Sequence, residues 1–181
     1  MEIIKTNPAL GIEIYDNAIN NCDKIIEYLN EKVWNRSQTD DLKQVYKKRT
    51  SKTIFIPMLA FNNPDFIHEM NKQVWTLIDE YGKAWDTGFS EIQNVSIQKY
   101  DIGDHYDLHT DSGPGFQRVI SCVVYLNTVT NGGRTIFPYL DTAVDAVEGR
   151  AVVFPSNFIY AHEAEAPQSN IKYAAAFWAT P

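Results

Sequence analysis

Cysteine is scarce in this chain. There are two, Cys22 and Cys122, far apart in sequence and on what read as a helix and a strand. Two such thiols do not make a zinc site, and their separation favours reduced, partly buried thiols over a disulfide, the pattern of a cytoplasmic protein. Long apolar runs are missing too. Nothing approaches the roughly 20 residues that span a bilayer, and the opening MEIIKTNPAL has no basic stretch leading into an apolar one. Neither a membrane partner nor a secretory signal is expected. Positive charge is in deficit: 16 Lys and Arg against 23 Asp and Glu give a formal charge of -7. An acidic surface repels phosphate backbones, which argues against nucleic acid as the main partner. The exception is the segment 43–52, carrying Lys43, Lys47, Lys48, Arg49 and Lys52. It reads as a solvated basic loop in preference to a docking site for an acidic partner.

Repeats and low-complexity linkers are also absent. With 181 residues, 44% of them hydrophobic, the chain can bury one full core, so a single domain over 1–181 is expected. Its texture changes near residue 90. Before that point two segments carry helical periodicity. Over 16–33, Ile19, Cys22, Ile25, Ile26, Leu29 and Val33 form one stripe, with Asp16 as a candidate N-cap. Over 64–86, Phe66, Ile67, Met70, Val74, Leu77, Ile78 and Tyr81 recur, with Asn63 as candidate cap and Pro64 at the first helical position. Between them lies a polar stretch from Asn35 to Ser51, the size of a functional or mobile loop. From about 91 to 181 the pattern is β. Short β-branched and aromatic runs at 94–100, 119–127, 134–137, 150–155 and 171–178 alternate with turn residues such as Gly103, Gly132-Gly133 and Gly149. Many short strands of this kind point to a sandwich or jelly roll, with the two helices packed on one sheet.

Histidine is rare as well: four residues, of which His105, His109 and His162 fall in the β half. Residues two apart on a strand share a face, so His109 and Asp111 aim together while Thr110 faces away. One imidazole and one carboxylate supply two sides of a facial triad, which non-haem Fe(II) oxygenases complete with a second histidine from elsewhere. His162 lies far enough along to return on another strand. An H-x-D triplet alone carries little weight. Ten residues after His162, Lys172 opens KYAAAFWATP, in which Lys172, Ala174, Ala176 and Trp178 alternate onto one face. The alanines leave room beside the strand for a small molecule, and a lone cation at its inner end needs an anionic partner.

These residues carry a resemblance to the 2-oxoglutarate and Fe(II)-dependent dioxygenases, prolyl 4-hydroxylase branch, over Val95 to Trp178. Tyr100 to Asp111 resembles Y-x-x-G-x-x-Y-x-x-H-x-D, with Tyr100, Gly103, Tyr106, His109 and Asp111 in register. Arg118-Val119 and Tyr125-Leu126-Asn127 resemble the ends of the next core strand. Gly132 to Pro138 resembles G-G-E-T-x-F-P, and Gly149 to Pro155 the G-x-A-x-x-F-P strand. His162 opens the distal-histidine segment, Lys172 stands at the co-substrate lysine position, and Trp178 follows at the family's spacing. Two positions depart: Arg134 replaces the acidic residue of G-G-E-T, and Leu108 stands where many members have proline. Neither is a metal ligand, so they bear on substrate and loop shape.

The resemblance implies a double-stranded β-helix core, Fe(II), 2-oxoglutarate and O₂ as cofactor and co-substrates, and ascorbate as a candidate reductant. It implies His109, Asp111 and His162 as iron ligands. It puts Lys172 on the far carboxylate of 2-oxoglutarate, Tyr100 as a phenol donor to it, and Thr135, Tyr125 and Trp178 in the same pocket. Tyr106 and Arg118 fall toward the substrate, expected to be a prolyl residue of a peptide or protein. His105 reads as a loop residue, and His68, on the second helix, has no partner in view. A free amino acid or small metabolite as substrate, or a cupin-like module without turnover, are the alternatives. An intact triad together with Lys172 counts against the last. The oligomeric state is left open.

Overall fold

The computed structural model describes residues 2–7 (backbone only), 10–37, 49–115 and 117–181. Strands β1 (Glu2–Asn7) and β2 (Ile12–Asp16) lead to helix α1 (Cys22–Asn30). Strands β3 (Asn35–Arg36) and β4 (Lys52–Ile56) precede helix α2 (Asp65–Ala84). The rest is β: β5 (Glu91–Ile92), β6 (Val95–Tyr100), β7 (Tyr106–His109), β8 (Ile120–Tyr125), β9 (Thr135–Phe137), β10 (Thr142–Val144), β11 (Ala151–Pro155), β12 (His162–Ala164) and β13 (Lys172–Thr180). The major sheet runs β1-β2-β11-β8-β13-β6-β4-β3, with β5 also on β13, and the minor sheet runs β10-β9-β12-β7. Every pairing is antiparallel. The two sheets face each other as a double-stranded β-helix, and both helices cover the outer face of the major sheet.

Two apolar clusters follow from this layering. Ile25 and Leu29 of α1 and Met70, Val74, Leu77 and Ile78 of α2 pack on Val95, Ile97, Val124 and Phe177 of the major sheet. Between the sheets, Phe137 and Phe154 meet edge to face with centroids 4.9 Å apart, beside Tyr125, Val152 and Ala174. Cys22 and Cys122 are both free and buried.

The N-terminal ninety residues depart from their helical reading, because β1 to β4 lie there. Expected helix 16–33 contracts to Cys22–Asn30. Asp16 ends β2 instead of capping a helix, and its carboxylate pairs with Arg150. The backbone N–H groups of Ala18 and Ile19 donate to the Gly149 carbonyl, so a tertiary contact takes the residues assigned to a first turn. Helix 64–86 becomes Asp65–Ala84 with Pro64 at the cap and no side-chain capping bond; Asn63 donates instead to the Pro57 carbonyl. Most of the 35–51 stretch, including Lys43, Lys47 and Lys48, lies outside the described residues. Arg134, the departure from G-G-E-T, forms a two-pronged ion pair with Glu165 on the neighbouring chain segment.

Gly132 bridges to Pro167 at φ +70, and a Cβ there would stand 2.3 Å from the Ala166 carbonyl oxygen. Gly132→Ala therefore adds left-handed strain to a clash with backbone that cannot swing aside. The expected loss is roughly 2–4 kcal/mol, read as a lower urea midpoint at unchanged slope. An unshifted midpoint would show that this turn relaxes freely.

Candidate active site

The minor sheet and the strands opposite it place three donors together. His162 and His109 are direct partners across β12 and β7, and their rings lie 4.3 Å apart. Asp111 follows two residues after β7 ends, so chain direction carries its carboxylate to the histidines without a strand being needed there. The His109 Nε2 lies 3.9 Å from Asp111 Oδ1, and the His162 Nε2 lies 3.8 Å from Oδ2. These separations are too long for hydrogen bonds and short enough for one ion to bridge. The three ligand atoms all lie within 4.8 Å of one another, and no other such cluster of three occurs among the described residues.

The fit to a divalent ion rests on the tautomers. His109 Nδ1 lies 2.9 Å from the Asp107 carbonyl and His162 Nδ1 lies 3.0 Å from the Tyr160 carbonyl. A carbonyl only accepts, so each Nδ1 carries the proton and each Nε2 presents its lone pair to the cluster. Burial, then the neighbouring His162, hold the His109 imidazole well below its usual pKa and therefore neutral. Burial pushes Asp111 up, but the two imidazoles, the Ser121 hydroxyl and the Trp178 indole outweigh it and keep the carboxylate ionised. Ser121 donates to Asp111 Oδ2 at 2.7 Å and lies 2.8 Å from Ser156 Oγ. Ser121 and Trp178 are cross-strand partners on β8 and β13, which is why both reach the same carboxylate. Two imidazoles turning Nε2 to the cluster and one ionised carboxylate, fixed from behind, suit Fe(II).

A cavity of about 730 Å³ opens beside the cluster. Lys172, Ala174, Ala176 and Trp178 all line it, as the alternation along β13 predicts. Lys172 is 1% exposed, with Nζ 5.2 and 5.3 Å from the Tyr100 and Tyr125 ring centroids. Among the described residues it meets no carboxylate within ion-pair distance, and burial draws its pKa down to about 7, only partly offset by Glu165. A buried ammonium with no anion beside it is a site for a ligand carboxylate.

Tyr100 is the cross-strand partner of Lys172, and its hydroxyl lies 3.2 Å from Gln98 Oε1. Thr135 lines the cavity. Tyr125 does not reach it: fully buried, it stands one layer behind and donates to Thr135 at 2.7 Å. Trp178 is a cavity wall. The Tyr106 ring stacks on His109 at 3.6 Å. Arg118 lies over the Trp178 ring at 3.8 Å, with Nε on Gln93 and Nη1 on the Asp111 carbonyl. Much of its guanidinium is thus turned inward, holding the carboxylate segment. His105 sits in the loop before β7 with its ring near Asp107, outside the cluster, and His68 is exposed on α2.

Arg49 was not anticipated. It pairs in a β-bridge with Tyr106, lies over the Tyr106 ring at 4.6 Å, donates to Ser51 and Thr53, and lines the cavity. Asn35, Arg36, Ser37 and Phe55 complete that wall. The pattern of serine and threonine following Arg49 held no period that would have set it apart from a solvated loop.

Two histidines and one carboxylate at a cavity in a double-stranded β-helix are the donor set that non-haem Fe(II) oxygenases use. The model of the 2OG-Fe(II) oxygenase superfamily matches residues 95–180. The similarity over that segment, together with the His-Asp-His cluster, supports a 2-oxoglutarate-dependent dioxygenase that uses Fe(II), 2-oxoglutarate and O₂. A search of curated proteins gives no match. Among solved structures, a viral collagen prolyl hydroxylase from Paramecium Bursaria Chlorella virus-1, in complex with 2OG, superposes with TM-score 0.72 at 18% identity, covering 98% of this chain and 100% of that one. A prolyl hydroxylase of Trichoplax adhaerens, in complex with a hypoxia inducible factor oxygen degradation domain peptide fragment, gives 0.76 at 19%, covering 96% and 84%. A Pseudomonas putida prolyl-4-hydroxylase gives 0.70 at 17%, covering 96% and 94%. The architecture is therefore that of the prolyl 4-hydroxylases.

Proposed function

We propose that this enzyme hydroxylates a prolyl residue in a peptide or protein segment, with His109, Asp111 and His162 holding the iron. The observation that carries the reading is the cavity's lining. Buried Lys172 and the His-Asp-His cluster share it with exposed Asn35, Arg36 and Phe55. That arrangement seats a small dicarboxylate at the inner end and leaves the outer end to a chain that enters from solvent. When bound, iron and 2-oxoglutarate supply the oxidising power: O₂ is consumed, 2-oxoglutarate becomes succinate and CO₂, and one oxygen atom enters a substrate C–H bond.

The chain's own residues bind, orient and exclude water. Lys172 takes the far carboxylate as a charge-assisted partner, with Tyr100 and Thr135 beside it. Ala174 and Ala176 leave the space the co-substrate needs. Ser121 and Trp178 keep the Asp111 carboxylate aimed at the histidines, and Phe137 and Phe154, at 5.5 and 5.0 Å from the His162 ring, keep that side dry. Tyr106 and Arg118 border the substrate side. The likeness to a prolyl hydroxylase seen with a peptide supports the substrate class. Ascorbate is the candidate reductant for iron oxidised off cycle.

A second reading has one observation in its favour. Among the described residues no carboxylate pairs with Arg49, so its guanidinium could meet an acidic small substrate such as a free amino acid. The test of both is a screen for a +16 mass change in proline-containing peptides and free amino acids, with succinate measured alongside. Hydroxylated peptide with matching succinate is the expected result. Turnover of a free amino acid with every peptide inert would put the small-molecule reading in its place.

Lys172 also sets a pH dependence. With its pKa drawn down to about 7, the free enzyme loses this charge as pH rises through that value, and binding a dicarboxylate must then take up a proton. The apparent KM for 2-oxoglutarate should climb as pH goes from 7 to 9, and Lys172→Arg, whose side chain stays charged, should flatten the climb. An equally steep rise in the arginine variant would assign it to another group.

A further inference from the structure

β4 is an incompletely covered edge. β3 pairs with it only at Thr53 and Lys52, opposite Asn35 and Arg36. The Ser37 N–H donates to the Ser51 carbonyl, which fixes the phase of this ladder: residues 51, 53 and 55 turn their backbone groups toward the β3 side. Among the described residues no strand lies opposite Phe55 on that side, and its N–H and C=O face outward where a further strand could pair. Phe55 is 69% exposed. At the same place a groove of about 260 Å³ lies against the edge, between Tyr28 of α1, Lys32 just past its end, and the residues Ile54, Ile56, Pro57 and Ala60. Phe55 borders this groove and the active-site cavity alike. Side chains of a strand alternate between faces. Thr53 and Phe55 line the cavity, whereas Ile54 and Ile56 line the groove on the helix side of the sheet. Leu59 and Phe61, flanking Ala60, are almost wholly exposed, an apolar rim of the kind that marks a binding surface.

We propose that an extended, non-prolyl flank of the peptide substrate pairs with the backbone of Phe55, placing one apolar side chain in the Tyr28–Ala60 groove while the next points to the active-site cavity. The occupant is the substrate's own chain, because groove and cavity meet at Phe55. This rests on the peptide reading given above. Backbone pairing supplies affinity, and the groove supplies selectivity for an apolar residue at a fixed distance from the hydroxylated proline. Proline cannot occupy the paired position, since it has no N–H to donate to the Phe55 carbonyl.

The test is an N-methyl scan of a hydroxylated proline-containing peptide, made in a short form and a form extended at both ends. One flanking position of the extended peptide should lose on the order of tenfold in kcat/KM on N-methylation. The extended peptide should outperform the short one, and Ala60→Trp, which fills the groove, should abolish that advantage. Equal turnover of both lengths with no methyl-sensitive flank would overturn the edge pairing and leave the peptide reading standing. Hydroxylation of no peptide of either length would overturn both.

Discussion

Asp111→Ala is expected to bring succinate formation below detection while leaving the fold intact. The carboxylate is the only anion among the three donors, and without it two imidazoles face a divalent ion with no charge to offset it. Its loss leaves the Ser121 hydroxyl a remaining partner in Ser156, so the effect on stability stays within about 1 kcal/mol, or a few degrees in Tm for a chain of this size. His109→Ala and His162→Ala should behave alike in turnover. His162→Ala should cost more stability, because its ring packs against Phe137 and Phe154. Iron-dependent succinate release at the parent rate in Asp111→Ala would remove this cluster from the chemistry.

Lys172→Ala should raise the 2-oxoglutarate requirement about ten- to a hundredfold, the loss of one buried charge-assisted contact of roughly 1.5–3 kcal/mol. Iron affinity should change little, since Nζ faces the aromatic rings of Tyr100 and Tyr125. The same residue burdens the ligand-free fold. Its pKa lies below that of an unfolded lysine, so between pH about 7 and about 10 the unfolded chain binds the extra proton and folding stability rises with pH. Lys172→Met should erase that rise and be neutral or stabilising while losing 2-oxoglutarate affinity, an instance of stability given up for function. A methionine variant with unchanged KM would show that the co-substrate carboxylate binds elsewhere.

What was legible in the sequence follows from what leaves a local mark. Alternation from Lys172 to Trp178 placed four residues on one cavity wall, and the ordered motifs from Tyr100 to His162 placed the donors. The helical stripes of Ile25 to Leu29 and Met70 to Ile78 survive as the buried faces of α1 and α2. The strands before residue 90 were not legible. β4 exposes Phe55 and buries Thr53, against the usual alternation of apolar in and polar out. It does so because its inner face lines a polar cavity and not a core. Arg49 was missed for the same reason: its significance lies in a bridge to Tyr106, distant in sequence. Arg118, expected to reach toward substrate, is drawn by Trp178 and Gln93, partners that only the folded register brings near.

The account turns on one metal ion held by His109, Asp111 and His162 within reach of a dicarboxylate on Lys172. An anaerobic titration with Fe(II) followed by 2-oxoglutarate, read by visible absorbance, tests this without turnover. The predicted result is one iron per chain and a visible charge-transfer band on adding 2-oxoglutarate. The band should be absent in Asp111→Ala and need a higher co-substrate concentration in Lys172→Ala. The same band at the same concentrations in both variants would contradict it.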